Sequence, residues 1–239
     1  MVSIIIPSYN GARSLGKELP AFITFLKKEI KDFEIIIVDD GSYDSEPTKK
    51  IAIENECQFI TYPKNAGKGF AVKTGMLQAK GQYRLFTDAD IPFNYEAIPL
   101  FLSYLQEKEF DIVIGDRTLE KSIYFEDVSI LRKFSSKIFT FIVGRFITTG
   151  TFDTQCGLKG FKGSVAEDIF SVTRINGFTF DVELIYIALK RNYDIKKLPV
   201  ILRSNESSSV NVLKHSINML IDLFRIKYFN VTKYYKKKK

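Results

Sequence analysis

The chain has 239 residues, 45% of them hydrophobic and 26% charged, enough to bury one large core or two small ones and unlike a disordered, collagen-like or low-complexity chain. Its two cysteines, Cys57 and Cys156, make no disulfide scaffold and fit a reducing compartment, and its single histidine, His215, leaves no catalytic triad or zinc site built on several histidines. The net charge of +7 is concentrated at one end, since five lysines stand within Lys233–Lys239 and the remainder is near +2; acid–base or metal chemistry falls to carboxylates, amides, lysines and arginines.

Met1 runs straight into the strand-like Val2-Ser3-Ile4-Ile5-Ile6, so no signal peptide is expected, and no apolar run reaches the roughly 18 residues that span a bilayer. Val2–Ile6, Phe33–Val38, Gln58–Thr61, Tyr83–Thr87 and Asp111–Ile114 are short and rich in Ile, Val, Phe or Tyr, as buried strands are. Helical spacing fills the intervals: Leu15–Ile30, Ser45–Glu56, Gly67–Ala79 and Tyr95–Lys108. Such alternation predicts right-handed βαβ units and an α/β fold, a mostly parallel sheet with helices on both faces. After Arg117 the alternation stops. Ile130–Ile147 is an apolar segment with interspersed cations, Gly150–Phe161 is turn-rich, Phe178–Lys190 reads as a helix, Ile195–Leu202 as a strand and Val210–Tyr228 as a last helix.

Ligands of open α/β sheets bind beyond the carboxyl ends of the strands. Those ends read Pro7-Ser8-Tyr9-Asn10-Gly11, Asp39-Asp40-Gly41-Ser42, Asp88-Ala89-Asp90 and Gly115-Asp116-Arg117, so polar and acidic residues gather along one edge. Asp88 and Asp90 can jointly approach Mg²⁺ or Mn²⁺ if the chain turns there, the shell being completed by water and phosphate oxygens. The competing reading of that pair is a solvated turn. Arg117, Arg132 and Arg203 form a second group, each a fork suited to bidentate phosphate contact or else a surface arginine.

Val2–Asn10 (VSIIIPSYN), Ile37–Ser42 (IVDDGS), Asn65–Gly69 (NAGKG) and Thr87–Asp90 (TDAD) resemble, in order and spacing, the family 2 inverting glycosyltransferases. Asp153-Thr-Gln-Cys-Gly-Leu-Lys and Phe180-Asp-Val-Glu-Leu look like the polyprenyl-phosphate branch of that family, and the resemblance covers roughly residues 2 to 205. It implies a GT-A fold over residues 1–208, a nucleotide-diphosphate sugar as donor (UDP-glucose first), a polyprenyl or dolichyl phosphate as acceptor, and Mg²⁺ or Mn²⁺ as cofactor. Carried onto this chain, it implies a nucleotide site of Pro7, Tyr9, Asn10, Asp39, Lys68 and Asp88. Asp39 would lie near the base or ribose, and Asp40 would cap a turn. Asp88 and Asp90 would face the diphosphate through the metal. The Lys68 turn is not a Walker loop, since G-x-x-x-x-G-K-[ST] is absent. Arg117, Arg132 and Arg203 would clamp the acceptor phosphate.

A phosphate monoester has a second pKa of about 6 and is largely dianionic near pH 7, so it needs little base assistance. Asp153 is expected nearest the reacting centre, as base or as orienting group, with Asp181 its rival. Glu183 and Gln155 are expected to be supporting residues, Cys156 to be packing, and His215 receives no role. Ile130–Ile147, within a stretch of about 130–150, is either a core helix or a membrane-interface helix. The 209–239 segment combines an apolar helix face with a lysine tail, which suits an anionic bilayer, or is a solvated end. The expected location is cytoplasmic, peripheral at the cytoplasmic face of a membrane. Nucleic acid is not expected as a partner, because the tail lacks interleaved base-stacking motifs beyond Tyr234 and Tyr235. Two alternatives stay open: transfer to a saccharide hydroxyl, and a non-catalytic nucleotide-sugar binding subunit.

Overall fold

The computed structural model describes residues 1–123, 143–145, 147, 148, 150, 153–203 and 212–236, the side chains of 212–217 excepted. In chain order its elements are β1 (Val2–Ser8), α1 (Ala12–Glu29), β2 (Phe33–Asp39), α2 (Ser45–Glu54), β3 (Gln58–Thr61), α3 (Lys68–Gln78), β4 (Tyr83–Phe86), α4 (Ala97–Gln106), β5 (Ile112–Gly115), β6 (Lys159–Lys162), α5 (Gly163–Val172), α6 (Phe180–Lys190), β7 (Ile195–Leu198) and α7 (Val212–Val231). The described strands form one seven-stranded sheet in the order β3-β2-β1-β4-β6-β5-β7. All pairings are parallel except those of β6, which runs antiparallel between β4 and β5.

Both faces of the sheet are dry along its inner strands β1, β2, β4, β5 and β6, apart from a few strand ends, which explains the apolar runs among them. Successive strand residues point to opposite faces, and the apolar runs feed two cores. Ile5, Ile36, Val38, Phe86, Ile112, Ile114 and Phe161 pack on one side with residues of α3, α5, α6 and α7. Ile4, Ile6, Ile35, Ile37, Leu85 and Val113 pack on the other with residues of α1, α2 and α4. A strand buried on both faces has nowhere to place a polar side chain except at its ends.

The first half of the chain follows the expected boundaries closely. The second half adds β6 and α5, which the sequence pattern did not reveal. Lys159-Gly160-Phe161-Lys162 has two lysines and a glycine in four residues, so neither apolar runs nor strand propensity mark it. The strand expected over Ile195–Leu202 ends at Leu198 and continues only as isolated bridges, Ile123↔Ile201 and Phe93↔Leu202. Most of the Ile130–Ile147 segment lies outside the described residues.

α3 lies unusually close to the sheet because Gly75 faces it. A β-carbon at Gly75 would stand 2.5 Å from Ile5 Cγ2 and 3.1 Å from Val38 Cγ2, both on fully buried residues. Gly75→Ala gains about 1 kcal/mol of helix propensity, but overpacking a closed core costs about 1–3 kcal/mol. The expected outcome in urea denaturation is a net loss of stability, with the slope of the transition unchanged.

Candidate active site

Ser8 and Asp39 are paired at the ends of β1 and β2, so the loops that follow leave the sheet side by side. Asn10 takes a left-handed backbone, φ 53°, which asparagine tolerates better than most residues. Its amide N–H donates to Ser42 Oγ at 2.8 Å and its side-chain oxygen accepts from Tyr43 N at 3.1 Å. Pro7 is buried within β1, whereas the neighbouring Tyr9 is exposed.

The two aspartates that follow β2 divide their work. Asp40 is buried and saturated: Oδ1 accepts from Ala66 N (2.7 Å) and Gly67 N (3.2 Å), and Oδ2 from Asn65 Nδ2 and Gly67 N (both 2.9 Å). It caps the turn that enters α3, the capping role expected of it. Asp39 is fully buried, and its Oδ2 accepts from Thr61 Oγ1 at 2.9 Å and Ser42 N at 3.4 Å. Its Oδ1 is equally buried and has no hydrogen-bond partner among the described residues. An unmatched carboxylate oxygen away from water is destabilising; a ligand N–H or O–H would satisfy it.

The chain does turn after β4. Ile91 N donates to Asp88 O at 3.0 Å, closing a turn through Ala89 and Asp90. Ile91 has φ 40°, a conformation β-branched residues rarely adopt, of the kind that costs about 1–3 kcal/mol and clusters at active sites. Burial of its side chain in the core beside α1 and α4 holds it there. A β-carbon on Gly11 would stand 3.5 Å from Ala89 Cβ, so the loop after β1 abuts this turn.

Lys68, the first residue of α3, places Nζ 2.5 Å from Asp88 Oδ1. Burial pulls its pKa down, but Asp88, then Asp181 and Asp90, more than offset this, and it stands above the ordinary lysine value. On the other side Asp88 rests against Gly157, where any β-carbon would overlap the carboxylate.

A fully buried lysine, Lys159 of β6, donates to Asp181 Oδ1 at 2.5 Å and to Cys156 O at 2.6 Å, and lies 5.2 Å from the centroid of Phe86. Burial pushes Asp181 up, with Lys159 and then Lys68 opposing the rise. Asp153 is engaged just as fully. Arg117 grips it as a fork, Nε to Oδ2 at 2.9 Å and Nη2 to Oδ1 at 2.8 Å, and Arg117 N adds a third bond at 2.7 Å. Burial would raise the Asp153 pKa, but these bonds and the charges of Arg117 and Lys159 hold it below its ordinary value. The Cys156 thiol is pushed up to about 12, first by burial; it is packing, not a nucleophile.

The structure thus brings Lys68, Asp88, Asp90, Asp181, Asp153 and Arg117 to one sheet edge, with Tyr9, Asn10 and Asp39 beside them. Arg203 stands apart: its guanidinium lies 3.9 Å over the Tyr95 ring and 3.3 Å from Glu18, although its backbone N–H donates to Pro92 O. Arg132 lies outside the described residues. Glu183 supports a loop, as described below, and Gln155 is half-buried. Lys159 and Gly157 were not singled out from the sequence; their only signal was membership of the segment Asp153–Lys159.

Asp88 and Asp90 share one turn, and among the described residues no group of three or more His, Cys, Asp or Glu side chains forms a ready cation cage. Two carboxylates, with water and phosphate oxygens completing the shell, are the donor set of Mg²⁺ or Mn²⁺ sites that also hold a phosphorylated substrate. The residues present fit such an ion.

An α/β sheet with one antiparallel strand, delivering its acids to a single edge, is the GT-A arrangement of glycosyltransferases. Residues 3–170 match the family described as Glycosyl transferase family 2, and the chain belongs to that family. It is similar to the dolichyl-phosphate beta-glucosyltransferase of Dictyostelium discoideum, 34% identical over 243 residues, covering 95% of this chain and 74% of the relative. The enzyme of that name from Saccharomyces cerevisiae is 29% identical over 248 residues, at 95% and 74% coverage. Among solved structures, glucosyl-3-phosphoglycerate synthase from Mycobacterium tuberculosis, in complex with Mn²⁺, UDP-glucose and phosphoglyceric acid, superposes with a TM-score of 0.73 at 15% identity, over 95% of this chain and 79% of that one. At that identity the likeness is one of fold.

The Arg117–Asp153 clamp has a pH signature. A carboxyl with a depressed folded pKa stabilises the protein fully above its ordinary value of 3.8 and loses that contribution as the pH falls through the folded value. Asp153→Asn should therefore be less stable than the parent by about 2–4 kcal/mol at neutral pH. The gap should stay constant down to about pH 5 and close under strong acid. Paired chemical denaturation over that range checks it, because the raised pKa values of Asp181 and Glu183 cancel in the difference.

Proposed function

We propose that the protein transfers glucose from UDP-glucose, with inversion, to dolichyl phosphate or a related polyprenyl phosphate, using Mg²⁺ or Mn²⁺ at Asp88 and Asp90. The observation that carries the donor half is the buried, unpartnered Oδ1 of Asp39, for which the imide N–H of uracil is a donor of the right kind. β2 and β4 flank β1, so Asp39 and the Asp88–Asp90 turn are two strand spacings apart, about 10 Å. That matches the scale on which a uridine diphosphate separates its base from its diphosphate. The names of the curated relatives support the acceptor half, and the Mn²⁺ and UDP-glucose bound by a protein of the same fold support the donor and the ion.

In this reading Tyr9 and Asn10 border the nucleoside, Pro7 shapes the end of β1, and Lys68 offsets charge on the diphosphate. A bound Mg²⁺ or Mn²⁺ would supply the Lewis acid that neutralises the leaving diphosphate. An acceptor phosphate oxygen attacks the anomeric carbon from the face opposite UDP. The new C–O bond forms as the bond to the β-phosphate breaks, and the electron pair leaves with UDP. A dianionic phosphate has no proton to surrender, so no general base is required. Asp153 is then the orienting group, fixing where the charge of Arg117 stands relative to the acceptor phosphate. Asp181, paired with Lys159, contributes negative charge beside Lys68. Arg203 and Arg132 are assigned as further cations for the acceptor.

Incubation with Mn²⁺, radiolabelled UDP-glucose and a short polyprenyl phosphate should carry label into the organic phase. Asp90→Ala should reduce that transfer to below about a hundredth. Label that persists in the variant would remove Asp90 from the metal site. Label that enters only saccharide acceptors would overturn the lipid phosphate.

We assign residues 1–208 to catalysis and 209–239 to contact with the cytoplasmic face of a membrane. Among the described residues no helix is long and apolar enough to cross a bilayer. α7 instead has two apolar faces. Leu223 and Ile226 are buried in the core, while Leu220, Ile221, Phe224, Tyr228 and Val231 share the opposite face at helical spacing and are exposed, Phe224 and Val231 by 78% and 77%. Beyond it stand Lys233 and Lys236–Lys239. An exposed aromatic and aliphatic stripe ending in cations suits an anionic bilayer surface. Phe224→Ser with Val231→Ser should leave thermal stability within about 0.5 kcal/mol and abolish flotation with vesicles containing phosphatidylserine; undiminished flotation would move the contact elsewhere.

A further inference from the structure

Glu183 belongs to no reacting group, yet it is fully buried and accepts from three donors. Oε1 accepts from Arg174 N at 2.9 Å and from the phenol of Tyr235 at 2.6 Å; Oε2 accepts from Arg174 N at 3.0 Å and Ile175 N at 2.9 Å. Tyr235 lies beyond α7, with its ring buried against Tyr186 and Phe229 and its carbonyl accepting from Arg191 Nη2 at 2.9 Å. The guanidinium of Arg174 lies 5.1 Å over the ring of Tyr234. The segment after α7 is therefore tied, through Glu183 and the Arg174 side chain, to the loop between α5 and α6.

That loop in turn seats the first turn of α3. The carbonyl of Asn176 accepts from Gly69 N at 2.7 Å, one of the amides that a helix start leaves without an internal partner, and at 3.3 Å from Phe70 N, which also donates to Gly67 O at 2.9 Å. Gly67, with φ 105°, and Gly69 come so close to this loop that neither has room for a β-carbon: at Gly69 it would stand 2.6 Å from Ile175 O. Between these two glycines is Lys68, whose Nζ is set against Asp88. A continuous series of hydrogen bonds and backbone contacts runs from Tyr235 through Glu183, Arg174 and Asn176 to the lysine at the diphosphate end of the site.

We propose that Tyr235 and Glu183 are positioning residues that latch the 174–176 loop onto the start of α3, so that donor binding by Lys68 depends on docking of the segment after α7. This rests on Lys68 and Asp88 forming the donor's diphosphate end. The latch joins the same C-terminal segment that carries the exposed stripe, giving that segment a direct mechanical route to the donor site.

The test uses the full chain and two conservative variants, Tyr235→Phe and Glu183→Gln, with Ile98→Val in the opposite core as a matched destabilised control. Hydrogen exchange at the Gly69 and Phe70 amides reads the latch without reference to any ligand. Calorimetry with UDP-glucose and Mn²⁺ reads its consequence. In both variants the two amides should exchange faster, and UDP-glucose should bind about fivefold to tenfold more weakly, the scale of one ordinary hydrogen bond. The control should bind as the parent does, and the double variant should be no weaker than Glu183→Gln alone. Unchanged exchange at both amides would overturn the latch whatever the donor. Faster exchange with unchanged affinity would leave Glu183 and Tyr235 purely structural. Failure of the parent itself to bind UDP-glucose would instead overturn the donor site, and with it the role given to the latch.

Discussion

β6 carries the ammonium of Lys159 into the middle of the sheet, where it has no contact with water. A buried cation has to be matched from inside the protein, and this one draws its partners from three elements: Asp181 at the start of α6, the Cys156 carbonyl in the loop before β6, and the Phe86 ring of β4. Much of the site follows from that match. Anchoring the 153–158 loop sets Gly157 beneath Asp88 and Asp153 opposite Arg117. Anchoring the first turn of α6 aims Asp181 toward Lys68 and, two residues on, Glu183 toward the loop that supports α3.

Around that anchor the acids are allocated by how many of their oxygens the protein itself occupies. Asp40 and Asp153 are saturated by donors of their own chain and act on geometry, one shaping the turn into α3 and the other holding a guanidinium. Asp39 keeps one buried oxygen unmatched among the described residues. Asp88 shares its charge with Lys68 in a half-exposed position where a ligand can enter the same field. The strained Ile91 backbone immediately after Asp90 belongs to this economy too, since burial of its side chain holds a turn that its backbone disfavours.

α7 joins two environments. Leu223 and Ile226 bind it to the core that α6 also lines, and the latch at Tyr235 closes its far end, so the helix is part of the domain it leaves. Its other face presents aromatic and aliphatic side chains outward, and the terminal lysines follow it in the sequence. The exposed face is the surface proposed for membrane contact, and the buried one joins the helix to the core.

The amino-acid sequence by itself determined the first half of the fold and the identity of the acidic edge. Runs such as Ile4-Ile5-Ile6 and Ile35-Ile36-Ile37, short and β-branched, read as strands buried on both faces, and in a parallel sheet the residues at their ends emerge together. What it could not express was β6, α5 and the charge pairing around them. Lys159 reads as a polar residue in a turn-rich stretch, because pattern rules count a lysine as solvated; only Asp181, 22 positions away, makes its burial possible. Likewise Asp39 and Asp40 are adjacent and chemically identical, and nothing local says which is saturated. Asp153 is legible as an acid near the site, but that Arg117, 36 positions earlier, consumes both of its oxygens is a fact of tertiary distance. Local pattern specifies which residues are apolar and where the chain turns; which charges neutralise one another depends on contacts that form only when distant strands share a sheet.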